Sequence, residues 1–173
     1  MHCMHPTVLL CGHLTKKRLD FAWREVESYL SAEHVPKEIT LVINSDGWGD
    51  YFWGFIDKMN ALTDVTFSAK VYTAKSAAAL VALAANRREI EEHGLIEIHL
   101  GSVTLESNEV NSQGKVSGRI TEQLRKGRER TFALMEKCGI PKEGPHMDQL
   151  LAQNWLTLNA EACSQLGIVE RVV

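Results

Sequence analysis

The sequence has little that would commit it to a membrane, a nucleic acid or a disulfide framework. Its longest apolar run, residues 77–85, is far short of the roughly 20 residues that a membrane-spanning helix needs. The first residues, MHCMHPTVLLCGHL, lack a basic segment and a small-residue cleavage site, so no secretory leader is expected and the cytoplasm is the default compartment. A net charge of −3 gives no reason to expect nucleic acid or anionic lipid as a partner. The four cysteines, Cys3, Cys11, Cys138 and Cys163, form no CxxC pair, which favours free thiols over disulfides. No internal repeat, low-complexity tract or second domain is visible. What is there is an ordinary globular composition, 45% apolar and 24% charged over 173 residues. One domain over residues 1–173 is expected, with material for a real core.

One cluster near the start invites a metal: His2, Cys3, His5, Cys11 and His13. The ligand types suit zinc, but the spacing follows no standard closed site. Cys11 also reads as a strand interior with its side chain buried. Neither a metal nor a cofactor is expected.

The chain turns on residues 65–86, VTFSAKVYTAKSAAALVALAAN. The first half alternates and is rich in β-branched residues, whereas the second is nearly pure Ala, Leu and Val. That switch of period marks a strand running into a buried helix, with Ser76 at the junction. Before it, TVLLC (7–11) reads as a short buried strand. Thr15 offers an N-cap to a helix whose stripe is Leu19, Ala22, Val26 and Tyr29/Leu30, ending near Ala32. EITLVIN (38–44) is a second strand, SDGWG (45–49) a polar loop, and residues 50–62 a helix. Strand three is 65–73. This βαβ rhythm predicts an α/β fold with a mostly parallel sheet, whose sites lie at the carboxyl ends of the strands.

Further on, residues 95–100 (LIEIHL) form the clearest strand, with His99 near its end. A polar stretch, 104–118, precedes a charged helix over 119–137 with Leu124, Phe132 and Leu134/Met135 as its apolar stripe. A short helix (147–153), an extended segment (155–157) and a last helix (160–166) follow. Two side chains stand out for chemistry. Ser76 is either the N-cap of its helix, a role serine performs well, or a nucleophile held where the first free helix amides point. His99 is either a satisfied strand histidine or a base.

Four segments in order bear on those alternatives: LVINSDGWGDYFWGFIDKM, YTAKSAAALVALAA, LIEIHL and WLTLNAEACSQLGIVERV. Together they resemble the proteolytic subunit of the Clp protease, within the crotonase-like superfamily, over almost the whole chain. The second segment resembles that family's Gly-x-Ala-x-Ser, and the third its strand ending in the catalytic histidine, 23 positions after the serine. The resemblance implies a ββα superhelix with a protruding handle region over about residues 102–146, through whose long helix two rings stack. It implies Ser76 as nucleophile, His99 as base, and an oxyanion hole made by the backbone amides of Ala77 and Trp48. It also implies a peptide or unfolded protein as substrate, bound as an added strand, and a ring-shaped homo-oligomer.

The departures are specific. The family's third triad member is an Asp two places before the aromatic of the closing segment, and counting back from Trp155 gives Gln153. Asp148, a little over a helical turn upstream, is a possible substitute. The arginine that helps join the family's rings is Ala152 here, Gly-Gly is Gly47-Trp48, and the glycine ahead of the serine is Tyr72. If the Trp48 position requires φ > 0, a bulky residue there is strained. The chain begins almost at the first core strand, so the family's axial segment that meets the ATPase is expected to be missing, which leaves an ATPase partner open. The expectation is a divergent serine endopeptidase hydrolysing peptides or unfolded chains in an oligomeric chamber. Two other functions compete: a catalytically impaired structural member of the same fold, and, ranked below it, a crotonase-like acyl-CoA enzyme using only the oxyanion pocket.

Overall fold

The computed structural model describes residues 6–49, 51–101 and 115–173. It consists of two compact units, Met1–Ile98 with Thr157–Val173, and His99–Leu156. The fold is mixed α/β. In the first unit β1 (Thr7–His13), α1 (Lys16–Leu30), β2 (Glu38–Gly47), α2 (Phe52–Ala61), β3 (Thr66–Lys75) and α3 (Ala77–Ala84) alternate strictly before β4 (Arg87–His99). Two elements, β5 (Trp155–Asn159) and β6 (Arg171–Val172), complete a six-stranded sheet among the described residues, in the order β1-β2-β3-β4-β5 with β6 also on β4. The pairs β1–β2, β2–β3, β3–β4 and β4–β6 are all parallel.

The alternation places one sheet face inward: Val8 and Leu10 from β1, Ile39, Leu41 and Ile43 from β2, and Phe67, Ala69 and Val71 from β3 are all at most 1% exposed. Onto the core pack Leu19, Ala22, Trp23 and Val26 of α1, and Phe52, Phe55, Ile56 and Met59 of α2. The Trp23 and Phe55 rings meet edge-on at 5.6 Å and join the two helices. All eight residues of α3 are buried, as its uniform Ala/Leu/Val composition requires. Burial of each of Leu80, Val81 and Leu83 stabilises the fold by roughly 1.5–3 kcal/mol.

Thr15 caps α1 as its sequence position suggests, its Oγ1 accepting from the Arg18 amide at 3.3 Å. Other details differ from the sequence reading. Cys11 is exposed, because β1 is an edge strand with only one buried face. The strand β2 continues through Ser45, Asp46 and Gly47, which the polar composition had marked as loop. The Asp50 start expected for α2 lies outside the described residues, as does most of the polar stretch 104–118. Strand β4 begins at Arg87, well before Leu95, because Ile90 pairs with Val71 and Leu95 with Thr73, so the extra residues bulge out of register.

The second unit holds α4 (Gly118–Lys137) and α5 (Pro145–Gln153). The buried face of α4 is Ile120, Thr131 and Met135. Of the stripe read from the sequence, only Met135 is fully buried, while Leu124, Phe132 and Leu134 are half-exposed. The Thr131 hydroxyl satisfies its burial by donating to the Gly127 carbonyl at 3.0 Å. The final helix, α6 (Ala160–Gln165), belongs to the first unit and is capped by Asn159, whose Oδ1 accepts from the Ala162 amide at 2.9 Å. Among the described residues no helix is long and apolar enough to cross a membrane.

Candidate active site

Ser76 is the single residue between the last residue of β3 and the first of α3. Its backbone adopts φ 53 and ψ −122, a left-handed conformation that costs a non-glycine residue on the order of 1–3 kcal/mol. Two hydrogen bonds hold it there: the Ser76 amide donates to the Glu97 carbonyl at 2.7 Å, and its carbonyl accepts from the Leu80 amide at 3.2 Å. The side chain makes no capping hydrogen bond to the helix. Of the two sequence readings, the N-cap one is therefore not realised, although Ser76 occupies the N-cap position. A serine at a strand-to-helix junction with positive φ and no capping bond shares its backbone form with the strained strand-to-helix turns called nucleophile elbows.

The end of β2 packs directly on this turn. A Cβ placed on Gly47, whose φ is 76, would lie 2.4 Å from the Lys75 carbonyl oxygen, 2.8 Å from the Ala77 nitrogen and 3.0 Å from the Ser76 Cβ. Only glycine allows that approach. The Gly47–Trp48 peptide thus starts against Ser76 and against the first amide of α3, one of the helix-end donors that have no partner within the helix. Trp48 itself adopts φ 153, a positive angle that L residues rarely take, between Gly47 at φ 76 and Gly49 at φ 59.

Ser45, overlooked in the sequence reading, fixes this loop. Its side chain is 3% exposed; the hydroxyl donates to the Gly12 carbonyl and accepts from the Gly47 amide at 3.0 Å. The Leu14 amide then donates to the Gly47 carbonyl at 3.3 Å, joining the loop to the end of β1. His13 pairs with Gly47 in register and lays its ring 5.2 Å from that of Trp48. Lys75, directly before Ser76, comes within 3.8 Å of Asp46, an exposed pair worth little by itself. The signal for Ser45 lay in its place between the apolar strand and the glycine, where a small hydroxyl can bond backbone on both sides.

In the second unit His99 closes β4. Its Nδ1 accepts from the Gly101 amide at 3.0 Å, and the Trp155 ring lies 4.5 Å away, tilted by 39°. Trp155 follows α5 directly, through Asn154 in the left-handed region at φ 60. Gln153 is the last residue of α5 and Asp148 lies in its first turn; both are exposed. Ser76, Ala77 and Trp48 are thus brought together in one unit, and His99, Gln153 and Asp148 belong to the other. Of the possible metal cluster, His2, Cys3 and His5 lie outside the described residues, and among those described no group of three or more His, Cys, Asp or Glu side chains could hold a metal ion.

No family model and no curated protein sequence matches the chain. Among solved structures it is similar to the crystal structure of a peptidase from Plasmodium falciparum, with a TM-score of 0.73 and 13% sequence identity. The match covers 96% of this chain and 94% of that one. The two share a fold.

Proposed function

We propose that this chain is a divergent serine peptidase of the Clp proteolytic-subunit type. Ser76 is the nucleophile and His99, at the end of the neighbouring strand β4, its base. The amides of Ala77 and Trp48 receive the oxyanion that forms when Ser76 Oγ attacks a peptide carbonyl. The observation that carries this reading is the Ser76 backbone: φ 53 without a capping bond from the side chain, and Gly47 pressed against it. A structural N-cap has no use for such strain. The fold shared with a peptidase supports the same reading. By this proposal the substrate is a peptide or unfolded chain, the protein works in the cytoplasm as a ring-shaped homo-oligomer enclosing a chamber, and neither nucleic acid nor membrane is a partner.

The test is labelling with a serine-reactive fluorophosphonate, followed by mapping of the adduct. Labelling at Ser76 that disappears in Ser76→Ala and after heat denaturation is expected. An unlabelled native protein, or a label elsewhere that survives Ser76→Ala, overturns the proposal. Light scattering tests the oligomer separately, a monomer mass at micromolar concentration being the adverse outcome.

A second reading, a catalytically impaired member of the same fold, is favoured by one observation: the position of the charged third residue is taken by Gln153, which cannot stabilise an imidazolium by charge. It expects normal assembly and no fluorophosphonate adduct.

A further inference from the structure

The two nitrogens of an imidazole ring are distinct, and the partner of one decides the proton on the other. A backbone N–H can only donate. The bond from the Gly101 amide to His99 Nδ1, 3.0 Å long, therefore makes Nδ1 the bare nitrogen, and a neutral His99 carries its hydrogen on Nε2. Gly101 reaches the ring with φ 80, a conformation open to glycine and costly for most other residues, so this contact is built into the residue type. The Trp155 ring flanks the imidazole, its centroid 4.5 Å away.

Serine activation needs the opposite arrangement, with Nδ1–H facing an acceptor and a bare Nε2 to take the hydroxyl proton. We infer that Gly101 is a positioning residue that holds resting His99 in the Nε2–H tautomer, so that the ring offers a donor where activation of Ser76 requires an acceptor. The inference rests on the proposed roles of Ser76 and His99. For turnover the Gly101 amide leaves Nδ1, the Nε2 proton passes to solvent, and Nδ1 takes one proton from solvent; the ring stays neutral. Nε2 then accepts the Ser76 proton as Oγ attacks, and later returns it to the leaving amine. A carboxylate facing Nδ1–H would outcompete the Gly101 contact, because charged acceptors make bonds roughly twice as strong as neutral ones. The neutral amide oxygen of Gln153, at the proposed third position, would lack that advantage.

The experiment is a two-bond proton–nitrogen correlation spectrum of the full chain labelled with 15N-histidine, at a pH where the ring is neutral, with His99 assigned by loss of its signals in His99→Gln. The expected spectrum has a protonated Nε2 and a bare Nδ1. Replacing the residue-101 amide by an ester removes the donor without changing the side chain. It is expected to shift the tautomer ratio toward Nδ1–H by up to about tenfold, the worth of one neutral hydrogen bond, and to raise kcat by a similar factor at unchanged KM. A resting Nδ1–H tautomer overturns the inference, as does a ratio that the ester leaves unchanged. If the ester protein does not fold, the spectrum of the unmodified chain decides. The expected tautomer in a chain with neither peptidase activity nor a fluorophosphonate adduct overturns the peptidase reading and leaves the Gly101–His99 relationship standing.

Discussion

Gly47 lies so close to Ser76 that a Cβ on the glycine would sit 3.0 Å from the serine Cβ. The nearest groups are backbone atoms of Lys75 and Ala77, which cannot swing aside as the end of a long side chain can. Gly47→Ala is therefore expected to destabilise the fold by about 1–3 kcal/mol through overpacking, with left-handed strain adding to it. Urea denaturation measures this. In the same variant, fluorophosphonate labelling of Ser76 should fall more than the loss of folded protein accounts for. Stability equal to that of the parent would show that the loop does not press on the elbow.

Ser76→Gly and Ser76→Ala separate strain from capping. At φ 53 glycine is relaxed and alanine is not, so the glycine variant should be the more stable of the two by about 1 kcal/mol or more. At a helix start with ordinary backbone, glycine is favoured over alanine by less, because the difference is then only the few tenths to about 1 kcal/mol that separate these residues as caps. Thermal melts of both variants give the answer, and equal melting temperatures would remove the strain argument.

Under the proposed mechanism, Gln153→Asp is expected to raise kcat at least tenfold toward a short activated peptide, since it would give the His99 imidazolium a charge partner. Loss of that charge costs about 10⁴ in the serine-protease template. Asp148→Asn should be nearly neutral. The reverse pattern would identify Asp148 as the group that orients His99, and steady-state kinetics of the two variants distinguishes the cases.

The helix α4 carries a local charge network whose effect on stability depends on pH. The Arg125 guanidinium, 2.7 Å from Glu122, and the nearby Lys126 lower the Glu122 carboxyl from 4.5 to about 2. A carboxyl depressed in the folded state contributes stability above its unfolded value and loses it as pH falls. The loss should therefore run from about pH 4.5 down to about 2. The pair is exposed, so 1 M salt should shrink the effect. Melting temperature against pH at low salt, compared with Glu122→Gln, checks this; an unchanged slope in the variant assigns the acid sensitivity elsewhere.

Burial pushes the Cys163 thiol up to about 12, so almost none of it is thiolate near neutrality. Iodoacetamide at pH 8 should modify the exposed Cys11 in the native protein and reach Cys163 only on unfolding. Peptide mapping reads both sites, and native alkylation of Cys163 would contradict its burial.

How far the sequence was legible follows what each feature depends on. The alternation in VTFSAKVYTAK and the apolar run after Ser76 are set by burial, and burial leaves a period; β3 and α3 were readable to within a few residues. Ser45, Asp46 and Gly47 looked like loop because their strand is held by hydrogen bonds to β1 and not by apolar contact. Cys11 misled for the converse reason: an apolar residue on an edge strand can face water. Ser76 could be located at the junction, but its φ of 53 and the missing capping bond are backbone features that its residue type does not announce. The Gly101 contact left no trace at all, because every non-proline residue brings the same N–H.

The clasp that Ser45 makes between Gly12 and Gly47 ties the lifetime of the loop beside Ser76 to that of an edge strand. Edge strands open locally at lower free energy than the centre of a sheet. The Gly47 amide, bonded to Ser45, and the Leu14 amide, bonded to Gly47, are therefore expected to exchange together with the end of β1. Fraying of β1 would then loosen the Gly47 turn beside Ser76 while the rest of the sheet stays folded.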